Sequence, residues 1–466
     1  MKKVLILLLS LIVYGLIVPA RAFAIYNPTA VANNHFGIHV ADTSDLQDVA
    51  KLVNSNGGDW GYVTFVIQKG ERDPQRWQNV FDQMRRLHLI PIVRIATQPV
   101  GIGNNTWERP SVDEIGGWVT FLNSLNWVVK NRYVIVGNEP NHAEEWGGQI
   151  DPAGYADYLK EFASKLKESN PDFFIMAAGM DASATNTKTS MSEDLFLMQM
   201  INKDPDIFDN IDGLASHSYP NPNFSGDATA TGKGTVATFD WELNELKFLG
   251  ITKTLPVFIT ETGWTHDPNN LTTNLGTKYE TAFNNVWNDP RIVAITPFIY
   301  KYVGSPFDNF SWVNSAGQFY DFYNNVLNLK KNAGKPIQIE SADIITGILP
   351  KIAVAGTKYR GVFFIKNTGQ SIWEENNLEA IDSRANKLNI ISVYPNTLEP
   401  GQIGVFLING QFANVSGNFN IGINFLDNGN VIADYTTQVN LIPGLPNLSD
   451  ILNYLKLSVA EKLAKI

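Results

Sequence analysis

The sequence predicts a chain of the α/β class, with a (β/α)8 barrel followed by a small all-β sandwich. Between residues 35 and 331, short apolar runs rich in β-branched and aromatic residues alternate with amphipathic segments. Eight such runs occur over about 300 residues, which is typical of eight parallel strands and their helices closed into a barrel. Beyond residue 336 the helical periodicity ends, and alternating strand patterns separated by turn residues predict the sandwich.

The predicted barrel strands are short apolar runs. A continuous apolar run of this kind is typical of a strand that is buried on both faces, as in a parallel sheet. The predicted strands cover residues 36–40, 60–67, 90–96, 133–136, 173–178, 213–217, 257–260 and 293–300.

Helix signals stand between these strands. Asp73 precedes Pro74 and Asp151 precedes Pro152, and each pair is an N-cap followed by proline at the first helical position. Gly250 ends a further helical segment. The alternative arrangement is a doubly wound open sheet. It is disfavoured because no glycine-rich dinucleotide-binding loop follows the first strand.

The first 24 residues predict a secretory signal peptide. Lys2 and Lys3 precede an apolar stretch at 4–18, and both 20–22 and 22–24 fit a small-x-small cleavage site. The alternative is an uncleaved membrane anchor, but the apolar stretch is short for a bilayer span. We therefore expect a secreted or cell-surface protein with no integral membrane span after signal cleavage.

The rest of the chain divides into three predicted parts. Residues 25–332 form the barrel, residues 337–443 form the sandwich, and residues 444–466 form an amphipathic helical tail. One face of this tail is apolar, which predicts that it packs back on the protein, with docking to a membrane surface or a partner as the alternative. The apolar residues are Leu448, Ile451, Leu452, Leu455, Val459 and Ile466.

Charge and cysteine content exclude several classes of function. The net charge is −10, and loss of the three basic residues of the signal takes it to about −13. This charge argues against nucleic acid and anionic membranes as partners and favours a neutral substrate. The chain has no cysteine, which excludes thiol catalysis and cysteine-ligated metal sites. Because neither a phosphate-binding loop nor an HExxH motif occurs, we expect no cofactor and no metal.

Two glutamates follow predicted strands in the same way. Glu139 comes after the fourth strand, within Gly137-Asn138-Glu139-Pro140, and Glu261 comes directly after the seventh. A carboxylate at the end of a buried strand is costly to desolvate and adds nothing to a core. Because barrel active sites lie at the carboxyl ends of the strands, both side chains should point into one mouth. Two facing carboxylates predict acid/base and nucleophilic chemistry on a glycosidic bond.

These motifs resemble those of the clan A glycoside hydrolases, the barrel group that includes cellulases, mannanases, xylosidases and galactanases. The resemblance covers the predicted barrel and implies a retaining reaction, with Glu139 as acid/base and Glu261 as nucleophile. It also implies that Asn138 contacts the sugar 2-hydroxyl. His217 and Tyr219 lie near the end of the sixth strand, where a tyrosine of the clan holds the nucleophile. That position implies this role for Tyr219, with His217 lining the sugar subsite.

Three further side chains are candidates for substrate binding. Arg94 interrupts the apolar third strand, and a buried arginine must be paired. It either steadies Glu261 or binds substrate at the mouth, or else it forms a structural ion pair lower in the barrel. His39, at the end of the first strand, either contacts sugar or is a core histidine with its hydrogen bonds made. Trp264 follows Glu261 closely and is a candidate stacking platform for a sugar ring.

The eighth strand departs from the clan pattern, in which a tryptophan at its end forms the floor of the sugar subsite. This chain has Tyr300 at the predicted end of that strand, so Tyr300 is the candidate floor. Trp312, in the following loop, is the alternative. The departure leaves the two glutamates intact but bears on the choice of substrate.

The second domain carries Asn367-Thr368-Gly369 followed by Trp373. This pattern resembles immunoglobulin-like domains with an Asn-Thr-Gly…Trp motif, in which the tryptophan is usually part of the core. The alternatives are carbohydrate binding through Trp373 and a spacer or protein-docking role for the whole domain.

The sequence therefore predicts a secreted, metal-independent, retaining glycoside hydrolase acting on a β-linked oligo- or polysaccharide. Three other functions share some of these features. A transglycosylase uses the same two glutamates but passes the sugar to another sugar. A catalytically inactive barrel would bind glycan or a cell surface, and a structural surface protein would dock through its tail.

Overall fold

A computed structural model describes residues 25–101, 106–384 and 386–444. The predicted signal peptide and nearly all of the predicted tail lie outside these residues. The chain divides into two compact units between Ile337 and Gln338. None of the helices within the described ranges has the length and apolarity that crossing a bilayer requires.

The first unit is built on eight parallel strands. These are β1 (His35–Val40), β2 (Gly61–Gln68), β3 (Leu89–Ala96), β4 (Arg132–Val136), β5 (Phe173–Ala177), β6 (Leu214–His217), β7 (Val257–Glu261) and β8 (Ile292–Ile295). Their order in the sheet is β5-β4-β3-β2-β1-β8-β7-β6. A parallel bridge between Met176 and Gly213 joins the two ends. The predicted barrel is therefore confirmed, and the open-sheet alternative is wrong.

Helices lie between successive strands, as the alternating pattern predicts. Those within the described residues are α1 (Leu46–Val53), α2 (Pro74–Arg86), α3 (Ile115–Ser124), α4 (Pro152–Ser169), α5 (Glu193–Lys203), α6 (Thr238–Phe248), α7 (Gly276–Thr281) and α8 (Asp321–Asn328). Both predicted N-caps are confirmed. Asp73 accepts a hydrogen bond from the backbone N–H of Gln75 at 2.9 Å, and Asp151 accepts one from that of Gly154 at 2.8 Å.

Aromatic side chains fill the interior of the barrel. Rings from four strands contact one another: Tyr62 of β2, Tyr133 of β4, Phe174 of β5 and Phe258 of β7. The centroids of Tyr133 and Phe258 are 5.2 Å apart. Because β4 and β7 are not neighbours in the sheet, this contact must cross the barrel. The packed rings hold in place the two strands that carry the glutamates. The polar side chains of the site lie at the carboxyl ends of the strands.

The eighth strand is shorter than predicted. The sequence pattern extends to residue 300, but β8 ends at Ile295, before Thr296 and Pro297. Proline has no N–H for the ladder, so the strand pairing ends there although the run continues to be apolar. The aromatic residues that follow belong to a loop, and this changes which of them lies beside the site.

The second unit is an all-β domain, as predicted. Its strands are β9 (Ala342–Ile348), β10 (Ile352–Val354), β11 (Lys358–Asn367), β12 (Trp373–Glu374), β13 (Leu378–Asp382), β14 (Lys387–Tyr394), β15 (Thr397–Leu398), β16 (Ile403–Gln411), β17 (Gly417–Asp427) and β18 (Asn430–Ile442). Eight of them follow the order β10-β18-β17-β13-β14-β16-β11-β9, and β12 pairs with β15. Almost all these pairs are antiparallel, which is typical of a sandwich.

The Asn-Thr-Gly…Trp motif is structural. Trp373 is fully buried among the apolar side chains of this domain, so it offers no face to a sugar. The buried Asn367 amide donates to the carbonyls of Ser371 and Leu398 at 2.9 and 3.1 Å and accepts from the N–H of Gly369. One side chain therefore satisfies three backbone groups, one of which belongs to β15. The relation to the immunoglobulin fold stays a prediction.

Candidate active site

The loop after β4 places Glu139 at the mouth of the barrel. Gly137 has φ +92° and Glu139 has φ +29°, so the chain turns sharply outward after the strand. A left-handed conformation is uncommon for glutamate and costs free energy, and such residues cluster at functional sites. The backbone N–H of Glu139 is held by the carbonyl of Gly179 at 3.0 Å. Its side chain is 22% exposed, open enough for water to reach it.

Glu261 is the last residue of β7 and is more deeply placed, with a side chain that is 10% exposed. Both of its carboxylate oxygens have partners. Arg94 Nη1 lies 2.5 Å from Oε1, and the Tyr219 hydroxyl donates to Oε2 at 3.0 Å. These contacts fix the orientation of the carboxylate. The structure thus places Tyr219 against Glu261, the contact that the clan resemblance implies.

His217, the last residue of β6, lies between the two carboxylates. Its Nδ1 is 2.7 Å from Glu139 Oε1 and 3.9 Å from Glu261 Oε2. Burial lowers the pKa of His217, but the charges of Glu261 and Glu139 and the hydrogen bond to Glu139 outweigh it and raise that pKa. The imidazole therefore lies between the two carboxylates and is close to both. His217 therefore lies against the glutamates themselves, which is a different role from lining a sugar subsite.

The glutamates face each other across a short gap. One oxygen of Glu139, one of Glu261 and a nitrogen of His217 all lie within 4.8 Å of one another. Such a trio also has the residue types of a metal site. However, Arg94 already neutralises Glu261, and a divalent cation there would be repelled by the guanidinium. The donor set therefore suits proton transfer and nucleophilic attack better than metal binding.

The environment keeps Glu261 ionised. Burial on its own would raise the pKa of Glu261, but the charges of His217 and Arg94 and the hydrogen bond from Tyr219 lower it well below its usual range. A carboxylate that must attack an anomeric carbon has to be charged at the working pH. The site therefore provides the ionisation state that a nucleophile needs.

Arg94 holds two functional side chains at once. Its Nη1 donates to Glu261 and also to the amide oxygen of Asn138. The side chain of Arg94 is 14% exposed. The structure therefore places Arg94 at the mouth beside Glu261, and not in an ion pair lower in the barrel. Asn138, directly before Glu139, is oriented by the same guanidinium.

Arg94→Met should move the acidic limb of the pH profile to higher pH. Arg94 is one of the cations that lower the pKa of Glu261, and its loss would let burial raise that pKa. The nucleophile would then become protonated, and activity lost, at a higher pH than in the wild type. We expect a shift of about one pH unit in kcat/KM for an aryl glycoside.

Arg94→Lys serves as the control for this experiment. Lysine keeps the charge, but its ammonium group differs from the planar guanidinium in shape and in reach. It should shift the acidic limb less than methionine does. An acidic limb that is the same in the wild type and Arg94→Met would show that Arg94 does not set the ionisation of Glu261.

His39 is buried close to this group, with its ring 5.1 Å from that of Phe298. Burial and the charge of Arg94 lower the pKa of His39 to about 3, so the ring is neutral. Neither ring nitrogen has a hydrogen-bond partner among the described residues. The expectation of a core histidine with its hydrogen bonds made is therefore wrong. Sugar contact stays a prediction, and a sugar hydroxyl could supply the missing partner.

Trp264 requires a correction. Its indole is 1% exposed, packs edge-on against Tyr279 at 4.9 Å, and donates through Nε1 to the carbonyl of Gly226. No face of the ring is open to a sugar. Trp264 is therefore a core residue.

Tyr300 and Trp312 require a correction as well. Tyr300 is 3% exposed, and burial together with Tyr323 and Asp48 raises its pKa. Trp312 is 1% exposed and packs on Phe322. Neither forms the floor of a sugar subsite. In the loop after β8, Phe298 lies near the site: its ring contacts that of His39 and belongs to one apolar cluster with Tyr219.

Two features of the site escaped sequence reasoning. Phe298 joins Phe310, Phe224 and Tyr219 in an aromatic cluster beside Glu261. Pro297 indicates where β8 ends, and this would have placed Phe298 in the loop that follows the strand. A third carboxyl, Glu145, lines the same small cavity as Asn138. Nothing in the sequence distinguishes it from Glu144 next to it.

Comparison with known proteins decides the class of this site. Residues 120–292 match the model of the cellulase family, glycosyl hydrolase family 5. The matched segment contains both Glu139 and Glu261. The chain is a glycoside hydrolase, and over this segment it is similar to the cellulase family. The match covers part of the barrel only, and no curated protein matches the chain significantly.

Several solved structures resemble this glycoside hydrolase at low identity. A family 39 glycoside hydrolase from Bacteroides cellulosilyticus WH2 has 16% identity over 82% of each chain, with a TM-score of 0.43. A monomeric β-xylosidase from Caulobacter crescentus CB15 has 11% identity over 83% of this chain and 98% of its own, with a TM-score of 0.45. An α-L-arabinofuranosidase from Thermotoga maritima has 12% identity over 84% and 98%, with a TM-score of 0.41.

Proposed function

We propose that the protein is a secreted, retaining glycoside hydrolase that cleaves a β-linked oligo- or polysaccharide. One observation supports the retaining reaction above all. An oxygen of Glu139 and an oxygen of Glu261 lie within 4.8 Å. Retaining enzymes need their carboxyls about 5–5.5 Å apart, whereas inverting enzymes need about 6.5–9.5 Å to admit a water molecule.

The reaction would take two displacements. In the first, Glu261 attacks the anomeric carbon and forms an ester to the sugar, while Glu139 gives its proton to the departing glycosidic oxygen. In the second, Glu139 takes a proton from water, the water oxygen attacks the same carbon, and Glu261 leaves as a carboxylate. Formation of the ester removes the charge of Glu261, so Glu139 can then act as a base.

Two further features support the choice of substrate. The matching family is that of cellulase, and this favours a β-linked glycan. The one guanidinium in the cluster of glutamates, Arg94, is already paired with Glu261, so it is not free to bind an acidic sugar. Together with the net charge of −10, this pairing favours a neutral glycan.

Export is the remaining part of the proposal. It rests on the pattern of the first 24 residues, in which a basic start, an apolar stretch and two small-x-small sites occur in order. A cleaved chain released into the medium would begin at Phe23 or Ile25.

One experiment tests the proposal as a whole. The full chain is expressed with its own N-terminus, and the N-terminal sequence of protein from the medium is determined. That protein is assayed on a panel of β-linked polysaccharides and aryl β-glycosides, with proton NMR of the first product formed. We expect the β anomer to appear first. If the α anomer appeared first, the reaction would be inverting; if the folded protein cleaved none of the panel, the proposed substrate class would be wrong.

A further inference from the structure

Two loops at the mouth of the barrel form the walls of a wide cleft. They are the loop after β5 (178–192) and the loop after β6 (218–237). The cleft has a volume of about 800 Å³, which is within the range of pockets that hold small-molecule ligands. Thr185 lies in the wall after β5, and Asn221 and Asn223 lie in the wall after β6. The two-displacement scheme above gives this cleft no role.

The wall after β5 is fixed to the segment that follows Glu139. The side-chain nitrogen of Asn141 donates to the carbonyls of Asp181 and Met191, near the two ends of the loop, at 2.9 and 3.1 Å. The backbone N–H of Met191 donates in return to the carbonyl of Asn141 at 2.9 Å. Asp181 also forms a parallel bridge with His217, and the His217 ring lies 2.7 Å from Glu139. This wall is therefore held beside the predicted acid.

The wall after β6 is joined to the other glutamate. Asn221 is two residues after Tyr219, whose hydroxyl donates to Glu261 at 3.0 Å. Asn223 directly precedes Phe224, and the ring of Phe224 packs on that of Tyr219 with the centroids 5.0 Å apart. Both walls of the cleft are thus connected to side chains that contact the two glutamates.

The polar side chains of the cleft carry no net charge. Its two charged residues, Lys233 and Asp194, form an ion pair with each other. The side chains of Thr185, Asn221 and Asn223 form no hydrogen bond within the described part of the chain, so they are available to a ligand. Amide and hydroxyl groups both donate and accept, as the hydroxyls of a sugar do. These walls therefore suit a neutral ligand with many hydroxyl groups.

The place of the cleft indicates which end of a substrate enters it. The general acid gives its proton to the glycosidic oxygen, which departs with the leaving group, so the leaving group lies on the side of Glu139. The wall after β5 is hydrogen-bonded to the segment after this acid. By contrast, the cavity lined by Asn138 has a volume of about 30 Å³, which admits a water molecule but no sugar ring.

We propose that the wide cleft binds the leaving-group side of the substrate, and that this side is itself a neutral chain of sugar units. The inference rests on the proposed function, because it takes Glu139 to be the acid. The bonds formed and broken are those of the two displacements above, and the cleft supplies binding only. The enzyme should therefore prefer oligosaccharides to glycosides with a small leaving group.

Two substitutions remove the free amides of the cleft. Asn221→Ala truncates the first. Asn223 has φ +56°, a conformation that glycine adopts readily, so Asn223→Gly removes the second amide without straining the backbone. Asn389→Ala is the control, since Asn389 is an exposed residue of β14 in the other compact unit. Thermal unfolding of each variant shows whether it folds as the wild type does.

Two kinds of substrate with the same glycosyl group separate the cleft from the chemistry. One is an aryl glycoside, and the other is a series of oligosaccharides of increasing length from a polysaccharide that the wild type cleaves. For the variant with both substitutions, we expect kcat/KM on the longer oligosaccharides to fall by about 10- to 100-fold, because two hydrogen-bonding side chains are lost. On the aryl glycoside it should stay within about twofold of the wild type, because that leaving group makes no use of the amides.

The contrary outcomes are distinct. If the double variant lost activity equally on both substrates, or on neither, the cleft would not bind the leaving group, although hydrolysis itself would stand. The Asn389→Ala variant should match the wild type on both.

A binding measurement without turnover separates this inference from the proposed function. Nitrogen-15 NMR follows the side-chain amides of Asn221 and Asn223 in Glu261→Ala as the longest oligosaccharide is added. Both signals should shift, whereas that of Asn389 should not. Signals that stay unchanged while the oligosaccharide binds would refute the cleft as its site. Shifts in a protein whose wild type hydrolyses no glycan would refute the proposed function alone.

Discussion

Glu261→Ala should lose hydrolytic activity almost completely, with kcat lower by at least about 10,000-fold on any substrate. Without a carboxylate at the end of β7, the first displacement has no nucleophile, and the quality of the leaving group cannot compensate. Arg94 and Tyr219 both contact this carboxylate and would lose that partner. Steady-state rates on an aryl β-glycoside measure the loss, and circular dichroism shows that the variant is folded.

Azide distinguishes the role of Glu261 from a merely structural one. In Glu261→Ala, the space left by the side chain admits the anion, which can attack the anomeric carbon and expel an activated leaving group. One displacement inverts the centre, so a β-glycoside should give an α-glycosyl azide. Glu168→Gln, a change of an exposed acid on α4, is the control and should behave as the wild type. Rescue that yields the β-azide would contradict the assignment of Glu261.

The sequence predicted those features that follow from periodicity and position. Eight buried apolar runs identified the strands, and an acid after a buried run identified Glu139 and Glu261. The structure brings these two acids together because the carboxyl ends of β4 and β7 meet at one mouth. The positions of the two acids could be predicted because the carboxyl ends of all the parallel strands of a barrel lie on the same rim.

The side chains near the rim were harder to predict. When the predicted end of a strand is wrong by one residue, each side chain is assigned to the opposite face. The apolar run continues past the end of β8 at Ile295, and for this reason the sequence pattern predicts Tyr300 at the site. Trp264 was assigned because it is close to Glu261 in sequence, yet its ring turns into the core. Distance along the chain does not determine which face a loop residue presents.

Partners from distant elements could not be predicted at all. Arg94 and Glu261 are 167 residues apart in sequence, and their contact depends on the closure of the barrel. The sequence required a partner for a buried arginine but allowed more than one. Glu145 and Glu144 are indistinguishable as residue types, and only the fold places Glu145 in the wall of a small cavity with Asn138 and leaves Glu144 exposed.

Glu139→Ala should lose activity in proportion to how much the leaving group needs a proton. For glycosides with poor leaving groups, we expect kcat/KM to fall by about 100- to 10,000-fold, the usual contribution of general acid catalysis. For a dinitrophenyl glycoside, which leaves without a proton, the first displacement should be nearly as fast as in the wild type. A series of aryl glycosides of graded leaving-group pKa measures this difference as the slope of log(kcat/KM).

The second displacement gives an independent result for the same variant. Without Glu139 no base activates water, so the ester on Glu261 should accumulate, giving a burst of dinitrophenol and then a slow steady rate. Azide needs no base and should speed this step, and a second inversion should yield a β-glycosyl azide. Because Glu261→Ala should give the α product, the two azides together assign the two glutamates. If Glu139→Ala lost the same factor for good and poor leaving groups, with no burst, Glu139 could not be the acid/base, and the position of the proton donor would have to be sought elsewhere in the mouth of the barrel.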